Sequence, residues 1–204
     1  MRLPALKLYL CSDDKEYGGG RDVRPDGMFR AAASDYLGED LGADALRTAA
    51  GPHGKPYFTE SPLRGRAFFS ISHSGAYRAV LFHNAEVGLD IEDLGIRGGF
   101  TRERMERIAA RFFAEDEAAY LVGKRGADDI AEFFRIWTAK EAYIKYTGDG
   151  MTLGLPSFSV FDPPGGVTIT TFSPAPGLVC SCCRVGAGEP EVVAPGIEQG
   201  AAEQ

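Results

Sequence analysis

One short segment restricts the possible folds of this chain more than any other. The six residues V-G-L-D-I-E that begin at Val87 place an apolar side chain at every second position, and a period of two is the pattern of a strand with one buried face. Asp90 and Glu92 then share the opposite face, about 7 Å apart. Two like charges at this spacing repel each other unless a cation lies between them, and hard divalent cations such as Mg²⁺ prefer oxygen ligands. The segment therefore predicts either a metal-binding strand or a solvated strand edge.

The rest of the chain predicts a mixture of strands and helices. Strands are expected over residues 3–10, 67–72, 77–83, 86–92, 157–161, 167–172 and 178–185. Helices are expected over residues 28–49, with interruptions near Gly38 and Gly42, and over residues 102–122 and 128–146. Because these elements do not alternate regularly as β-α-β, the predicted class is α+β. Residues 187–204 are rich in Gly, Pro and Glu and are expected to form a disordered tail.

Composition and charge argue against several classes of protein. The chain has 204 residues and a net charge of −7, which disfavours a general nucleic-acid binder. No apolar run approaches the roughly 18 residues of a membrane span, and the N-terminus lacks a signal-peptide pattern, so a cytoplasmic protein is expected. Three of the four cysteines lie within residues 180–183. Buried, reduced thiols are expected there, with a zinc site as the alternative.

A second anomaly lies in the helix predicted over residues 128–146. Ile130, Phe134 and Trp137 form one apolar stripe at helical spacing, and Glu141 and Lys145 fall on the same stripe. Helices normally place charged residues on the opposite face, because burial of an unpaired carboxylate costs on the order of several kcal/mol. The pattern indicates either a charged pair at the wall of a pocket or an ordinary surface salt bridge.

Further candidate residues are weaker when each is taken alone. His73 lies among small hydroxyl residues in S-I-S-H-S-G, the run that begins at Ser70, where a ring N–H and hydroxyl groups can bind a phosphate. Lys55 lies in a Gly- and Pro-rich loop and Glu117 in a helix. A structural histidine, a solvated lysine and a solvated glutamate are the alternatives. Without a phosphate-binding glycine loop or a nucleophilic triad pattern, the whole set favours a metal-bound diphosphate as ligand.

The order and spacing of four motifs resemble a known family. They are G-K-P from Gly54, F-S-I-S-H-S from Phe69, G-L-D-I-E from Gly88 and W-T-A-K-E-A-Y-I-K from Trp137. Together they resemble the phosphopantetheinyl transferases, and the length is similar to that of the surfactin-synthetase-activating, or Sfp-type, subgroup. The resemblance covers about residues 30–160. It implies an enzyme that transfers the 4′-phosphopantetheine arm of coenzyme A to a serine of an apo-carrier protein, either an acyl or a peptidyl carrier, and releases adenosine 3′,5′-bisphosphate.

The resemblance also implies roles for individual residues. The positions that match ligands of Mg²⁺, for which Mn²⁺ is an alternative, are Asp90, Glu92 and Glu141. The positions implied to be catalytic are Glu117, Glu141 and Lys145. Either glutamate is a candidate to accept the proton of the serine, with Glu117 preferred, and Lys145 is expected at the leaving oxygen. The positions that match coenzyme A-binding residues are Arg30, Lys55, Ser72, His73 and Lys145, with Ser72 and His73 at the 3′-phosphate.

The implied fold is a pseudo-dimer of two similar α+β halves, over residues 1–95 and 96–186. The expected protein is a monomer that binds neither nucleic acid nor membranes. A catalytically inactive carrier-binding module and a Mg²⁺-dependent nucleotide hydrolase are the alternatives. The chain departs from the family pattern at Ser70, where Asn is usual, and at Glu39, where a basic residue is common. It also lacks a dense basic cluster near the N-terminus, for which Arg21 and Arg24 are possible substitutes.

A local excess of positive charge follows the Asp90 strand. The stretch over residues 95–113 carries Arg97, Arg102, Arg104, Arg107 and Arg111. Because carrier proteins are usually acidic around their target serine, we expect this patch to dock the carrier in spite of the negative net charge. A solvated helix with pairs at i,i+3 and i,i+4 is the alternative.

Overall fold

The computed structural model describes residues 6–12, 27–42, 46–59, 63–124 and 129–194. Within these ranges the strands, β1 to β9 in chain order, are Lys7–Ser12, Thr48–Ala50, Pro56–Phe58, Phe68–Ser74, Tyr77–His83, Val87–Asp93, Val167–Phe172, Leu178–Val185 and Glu191–Val193. The helices, α1 to α4, are Gly27–Leu37, Arg102–Phe112, Glu115–Gly123 and Asp129–Thr147. The predicted α+β class is confirmed, and the predicted pseudo-dimer remains an expectation. No helix in the described ranges has the length and apolarity to span a membrane.

The first sheet has the strand order β4-β5-β1-β9. β4 and β5 form an antiparallel hairpin, and β1 pairs antiparallel with β5. Helix α1 covers one face of this sheet and contributes aromatic rings to the core between them. Phe29 lies edge-on to Phe69 with 4.9 Å between ring centroids, and Tyr36 stacks on Phe82 at 5.3 Å. Contacts of this kind add to the stabilisation from burial of apolar surface and fix α1 on the sheet.

The second sheet has the strand order β6-β8-β7 and carries α4 across one face. The approach is very close at Gly88 in β6, where an added Cβ would lie 1.9 Å from the carbonyl oxygen of Ala142 and 2.5 Å from the backbone nitrogen of Tyr146. Only glycine allows the helix backbone to approach the strand so closely. The glycine of the G-L-D-I-E motif therefore determines how near α4 lies to Asp90.

The two sheets are joined through hydroxyl groups. The Oγ atoms of alternate β4 residues accept backbone N–H bonds from alternate β6 residues at 3.0 to 3.2 Å, in the pairs Ser70 with Leu89, Ser72 with Ile91 and Ser74 with Asp93. These hydroxyls satisfy N–H groups of β6 that would otherwise be left without a partner between the sheets. The S-x-S-x-S spacing of β4 thus connects one sheet to the other.

The predicted helix over residues 28–49 is correct only in its first half. α1 ends at Leu37, and Gly38 takes a φ of 66°, the left-handed conformation that terminates helices at low cost. The later residues of that range lead into β2, Thr48–Ala50, which forms a short hairpin with β3. The predicted strand over residues 157–161 is wrong, because Leu155–Ser157 form a 3₁₀ turn with Pro156 in its first turn.

The predicted single helix over residues 102–122 consists of two helices. Phe113 has extended backbone angles, φ −95° and ψ 152°, and ends α2. A new helix begins at Glu115, where the carboxylate of Glu117 accepts the backbone N–H of Ala114 at 2.7 Å. This bond satisfies one of the N–H groups that a helix start leaves without a partner.

The predicted disorder of residues 187–204 is wrong for the described part of that range. Glu191–Val193 form β9, which pairs in parallel with β1. The exposed edge of β1 offers unpaired N–H and C=O groups, and the C-terminal residues satisfy them, while Val192 packs against the apolar core. Residues 195–204 lie outside the described ranges, as do Arg21 and Arg24.

Replacement of Gly88 by alanine tests the close approach of α4. The new Cβ would meet helix backbone at 1.9 Å, so either the strand or the helix must move, and we expect a loss of about 3 kcal/mol or more in the free energy of unfolding. Gly99 is the matched control, since an added Cβ there meets nothing within 4 Å and Gly99→Ala should change stability by at most about 0.5 kcal/mol. Urea unfolding measures both. Equal stability of the two variants would contradict the contact.

Candidate active site

Three of the residues predicted to act at the site meet where β4, β6 and α4 converge. Lys145 Nζ donates to Asp90 Oδ1 at 2.7 Å and to Ser72 Oγ at 3.1 Å. The hydroxyl of Ser72 donates to the same carboxylate oxygen at 2.8 Å. Ser72 and Asp90 are buried, whereas the side chain of Lys145 remains 31% exposed. The arrangement leaves an ammonium group at the surface of the site that can turn toward a ligand.

The second predicted strand carboxylate is also held in place by neighbours. Ser74 Oγ donates to Glu92 Oε2 at 2.9 Å, and Arg97 Nη2 donates to the same oxygen at 2.5 Å. The Arg97 guanidinium lies over the ring of Phe134, 5.7 Å from its centroid. Its buried Nε has no hydrogen-bond partner among the described residues. Arg97, which the sequence patterns placed in the carrier-docking patch, thus pairs with Glu92, five residues before it, a contact that those patterns did not predict.

Glu141 brings a third carboxylate into this region from α4. Burial raises the pKa of its carboxyl group above the ordinary value, the charge of Asp90 raises it further, and Lys145 opposes the rise. Glu92 contributes in the same direction as Asp90. Asp90 and Glu92 are therefore close enough to disfavour the charged form of Glu141, and a proton or a cation relieves this repulsion.

The donor set fits a hard divalent cation in its chemistry. Asp90, Glu92 and Glu141 offer carboxylate oxygens, the ligands that Mg²⁺ prefers. Among the residues that the structure describes, no three His, Cys, Asp or Glu side chains are already arranged around a common metal position. Lys145 contacts Oδ1 of Asp90 and Arg97 contacts Oε2 of Glu92, so these cations leave the other oxygen of each carboxylate for a metal.

The structure places Glu117 apart from this cluster. Its side chain is 0% exposed, and one of its carboxylate oxygens lies 2.6 Å from Nζ of Lys140, which is equally buried. The other carboxylate oxygen accepts the backbone N–H of Val160 at 2.7 Å, and Lys140 Nζ donates to the carbonyl of Phe158, also at 2.7 Å. Burial lowers the pKa of Lys140, and Glu117 opposes this change. These contacts are those of a structural ion pair that joins α3, α4 and the loop after α4.

The remaining predicted residues lie outside the cluster. His73 is exposed on β4, on the opposite side of the strand from Ser72. Lys55 Nζ donates to Glu86 Oε2 at 2.5 Å and to the backbone carbonyl of Tyr146 at 2.9 Å, near the end of α4. Arg30 is exposed on α1, and no contact connects it with the carboxylates in the described part of the chain.

Two cavities meet beside the C-terminal end of α4. The larger cavity has a volume of about 820 Å³ and is lined by some of the residues within 50–58 and within 64–69. It also reaches Glu86 and Gly148. The smaller, about 240 Å³, reaches Ser70 and Lys145. They share Lys55 and Gly148 in their walls, so one ligand can extend from the larger cavity to the ammonium group of Lys145.

The three cysteines within residues 180–183 are buried, as the sequence predicted, and no disulfide joins the four cysteines, all of which lie in the described part of the chain. Cys180, Cys182 and Cys183 are buried in β8, and Cys11 is partly exposed. Burial raises the pKa of Cys180 and raises that of Cys183 to about 12. These thiols are therefore protonated and serve as small apolar side chains of the core.

Replacement of Lys140 by alanine tests the structural reading of Glu117. The change leaves a fully buried carboxylate without its cation, so the free energy of unfolding should fall by about 3–5 kcal/mol. The exposed pair of Arg102 with Glu106 provides the control, and Glu106→Ala should cost less than about 1 kcal/mol. Denaturant unfolding at neutral pH measures both. A Lys140→Ala protein as stable as the Glu106→Ala control would show that the buried pair is not structural.

Comparison with known proteins identifies the family. The chain matches the family model described as the 4′-phosphopantetheinyl transferase superfamily over residues 86–194, the region from the start of β6 to the end of β9. This match includes Asp90, Glu92, Glu141 and Lys145, and it confirms the resemblance seen in the sequence motifs.

Individual relatives agree with the family model. The chain is 32% identical over 140 residues to 4′-phosphopantetheinyl transferase ffp of Bacillus subtilis, which covers 69% of this chain and 57% of the relative. It is 35% identical over 115 residues to 4′-phosphopantetheinyl transferase Sfp of Bacillus subtilis strain 168, 56% of this chain and 47% of the relative. A putative 4′-phosphopantetheinyl transferase of Synechocystis is 33% identical over 160 residues, 75% and 63% of the two chains.

The chain thus spans between 47% and 63% of the length of these relatives. The family model covers more than half of the present sequence, and the predicted relation to the Sfp-type proteins is confirmed by the match to Sfp itself. The chain therefore belongs to the 4′-phosphopantetheinyl transferase superfamily.

Proposed function

We propose that this protein transfers the 4′-phosphopantetheine arm of coenzyme A to a serine of an acyl or peptidyl carrier protein. The observation that supports this most directly is the cluster of Asp90, Glu141 and Lys145, which combines carboxylates for a cation with an ammonium group for a phosphate. The relatives are named for the same reaction. We infer that the enzyme is cytoplasmic and monomeric.

The proposed cofactor is Mg²⁺, held by Asp90, Glu92 and Glu141, with Mn²⁺ as the alternative. When bound, the metal would neutralise the negative charge of the diphosphate of coenzyme A. Ser72 and Ser74 hold Asp90 and Glu92 in place by their hydroxyl groups. The carboxylates of Asp90 and Glu92 are therefore oriented before a ligand binds.

Lys145 is proposed to act at the phosphorus–oxygen bond that breaks. The serine oxygen of the carrier forms a bond to the β-phosphorus, and the bond to the oxygen of adenosine 3′,5′-bisphosphate breaks. Lys145 Nζ, now shared between Asp90 and Ser72, donates to that leaving oxygen and stabilises its charge. Its partial exposure allows this movement.

Glu141 is the better of the two candidates to accept the proton of the serine. A general base must lie within hydrogen-bond reach of the proton that it accepts, and Glu141 lies beside Asp90 and Lys145 in the cluster where the proposed ligand binds. Glu117, by contrast, is buried against Lys140 and two backbone N–H groups. We accordingly propose Glu117 as a residue that fixes α3 to α4, and Glu141 as the base.

The coenzyme is proposed to lie along the two joined cavities. Lys55 is in both walls and Lys145 at the end of the smaller one. His73 on β4 is proposed to contact the 3′-phosphate, and Arg30 on α1 is proposed as a further contact of the coenzyme. Ser72 lies on the buried side of the same strand and is proposed to act by holding Asp90 and Lys145. The exposure of His73 and Arg30 leaves both side chains accessible to a ligand.

The carrier protein is proposed to dock on the exposed face of α2. Arg97 and Arg102 are engaged by Glu92 and by Asp129, so they are poorly suited to that role. Arg104, Arg107 and Arg111 are exposed and follow one another at helical spacing. A positive stripe of this kind complements an acidic partner.

The transfer itself is tested by mass spectrometry of apo-carrier proteins after incubation with coenzyme A and Mg²⁺. A mass gain of one phosphopantetheinyl group is expected. Asp90→Ala should reduce the rate roughly 100-fold or more, since a metal ligand supplies several kcal/mol of transition-state stabilisation. Asp162→Ala, which removes an exposed carboxylate elsewhere, should leave the rate unchanged. Coenzyme A turnover without any carrier would instead indicate a hydrolase, and docking without turnover an inactive binding module.

His73→Ala tests the proposed contact with the 3′-phosphate. Loss of a hydrogen bond to a charged group should raise KM for coenzyme A roughly tenfold. KM for dephospho-coenzyme A, which lacks the 3′-phosphate, should change less than about twofold by the same argument. Steady-state kinetics with both substrates gives the comparison, and equal changes would assign His73 a structural role.

A further inference from the structure

A chain of hydroxyl groups crosses the second sheet on the face that α4 covers. Thr138 of α4 and Ser181 of β8 are both 0% exposed, and their hydroxyl oxygens lie 2.8 Å apart. The hydroxyl of Ser181 also lies 2.7 Å from that of Thr171 on β7. The helix that carries Glu141 and Lys145 is thus connected by hydroxyl groups to two strands of the sheet.

The direction of the hydrogen bonds in this chain is determined by the number of protons. Thr138 donates to the backbone carbonyl of Arg135 at 3.2 Å, and a hydroxyl group has only one proton. Ser181 must therefore donate to Thr138, and Thr171 must donate to Ser181. Each proton is used once, so the two fully buried hydroxyls both have partners. A buried polar network in which every member is satisfied favours a single arrangement of the elements that it joins.

Apolar side chains at these positions would attach α4 to the sheet without fixing its position as closely. Valine has as many heavy atoms in its side chain as threonine and would fill the same space at Thr138. The attraction between apolar side chains is not directional, whereas a hydrogen bond weakens when its length or angle changes. The hydroxyl chain therefore limits sliding of α4 along the sheet.

The hydroxyl chain lies next to the carboxylate cluster. Ser181 on β8 is paired in register with Asp90 on β6, and opposite residues of an antiparallel pair project from the same face with Cβ atoms about 5 Å apart. Thr138 lies three residues before Glu141 in α4, so the two side chains are neighbours on one face of the helix. The hydrogen bond between Ser181 and Thr138 therefore joins the neighbour of Asp90 to the neighbour of Glu141.

Other contacts hold α4 on the far side of Glu141. An added Cβ at Gly88 would lie 1.9 Å from the carbonyl oxygen of Ala142, and Lys145 is paired with Asp90 at 2.7 Å. Ala142 and Lys145 follow Glu141 in the helix, whereas Thr138 precedes it. The turn that carries Glu141 is therefore held to the sheet both before and after this residue.

We propose that Thr138 and Ser181 are positioning residues, which hold Glu141 at the separation from Asp90 that a small divalent cation requires. The inference rests on the proposed function, in which these two carboxylates bind Mg²⁺. Mg²⁺ demands nearly octahedral geometry with bonds of about 2.0–2.1 Å, whereas Ca²⁺ accepts variable geometry and bonds of about 2.3–2.6 Å. A small displacement of Glu141 therefore weakens binding of Mg²⁺ more than binding of Ca²⁺.

The experiment is a titration of Mn²⁺ into the protein, followed by electron paramagnetic resonance, with displacement of the Mn²⁺ by Mg²⁺ or Ca²⁺. Thr138→Val removes the hydroxyl and keeps the shape of the side chain. Its affinity for Mg²⁺ should fall roughly tenfold, as expected for a residue that orients metal ligands, and its affinity for Ca²⁺ by less than about threefold. Thr138→Ser keeps the hydroxyl and should bind both metals as the wild type does.

Two further variants and a double variant complete the comparison. Ser181→Ala removes the same hydrogen bond from the strand and should reproduce the change in selectivity. The double variant Thr138→Val/Ser181→Ala should lose no more than either single variant, since both remove one interaction. Ser34→Ala removes a hydroxyl of α1 that accepts the N–H of Leu41 at 3.1 Å, and it should leave both affinities unchanged. Thermal melting shows which variants are folded, and Ser181→Ala decides the question if Thr138→Val is not.

The outcomes separate the positioning role from the metal site itself. If Asp90→Ala abolishes binding of Mn²⁺ while Thr138→Val and Ser181→Ala keep the wild-type affinities, the positioning role is refuted and the metal site stands. Equal weakening of Mg²⁺ and Ca²⁺ in folded variants would also overturn the proposal, because the hydroxyls would then support the fold without setting the selectivity. If the wild type binds no Mn²⁺, the metal site and the positioning role both fail.

Discussion

The hydroxyl groups between β4 and β6 are the interaction on which the rest of the site depends. Each serine oxygen has two lone pairs and one proton. Ser72 uses one lone pair for the N–H of Ile91 and its proton for the carboxylate of Asp90. Ser74 does the same for Asp93 and Glu92. The atoms that join the two sheets are therefore the atoms that orient the acidic residues, and neither role can be lost alone.

The same region brings three carboxylates together, and their like charges repel one another. Two of them lie against cations from other parts of the chain, Asp90 against Lys145 and Glu92 against Arg97. Among the described residues Glu141 has no such ion pair of its own, and its pKa is raised by burial and by the charge of Asp90. The local charge pattern is unfavourable for stability and favourable for binding a cation, a conflict that proteins tolerate at functional sites.

Local patterns in the sequence predicted the elements that form the site. β6 was predicted from its apolar period of two and α4 from its period of 3.6, because both patterns are formed by residues close together in the sequence. The family motifs also fall on these elements. Elements that depend on distant partners were predicted poorly. The break between α2 and α3 is stabilised by Glu117, whose own position depends on Lys140, 23 residues later. β9 forms by pairing with the edge of β1, near the other end of the chain. No local sequence pattern identifies that pairing partner.

Contacts of long range also mean that the site cannot assemble from one half of the chain. Ser72 belongs to the first sheet, Asp90 to the second and Lys145 to α4, and Ser72 and Lys145 are 73 residues apart. Lys55 adds a fourth connection, from the loop before β3 to the last turn of α4. Closure of long loops costs conformational entropy, and only the completed contacts offset that cost. The two sheets and α4 must therefore come together before any of these groups is in place. The geometry of the site is therefore a property of the junction of both sheets with α4, and a change such as Gly88→Ala acts on the site by way of the contact between β6 and α4.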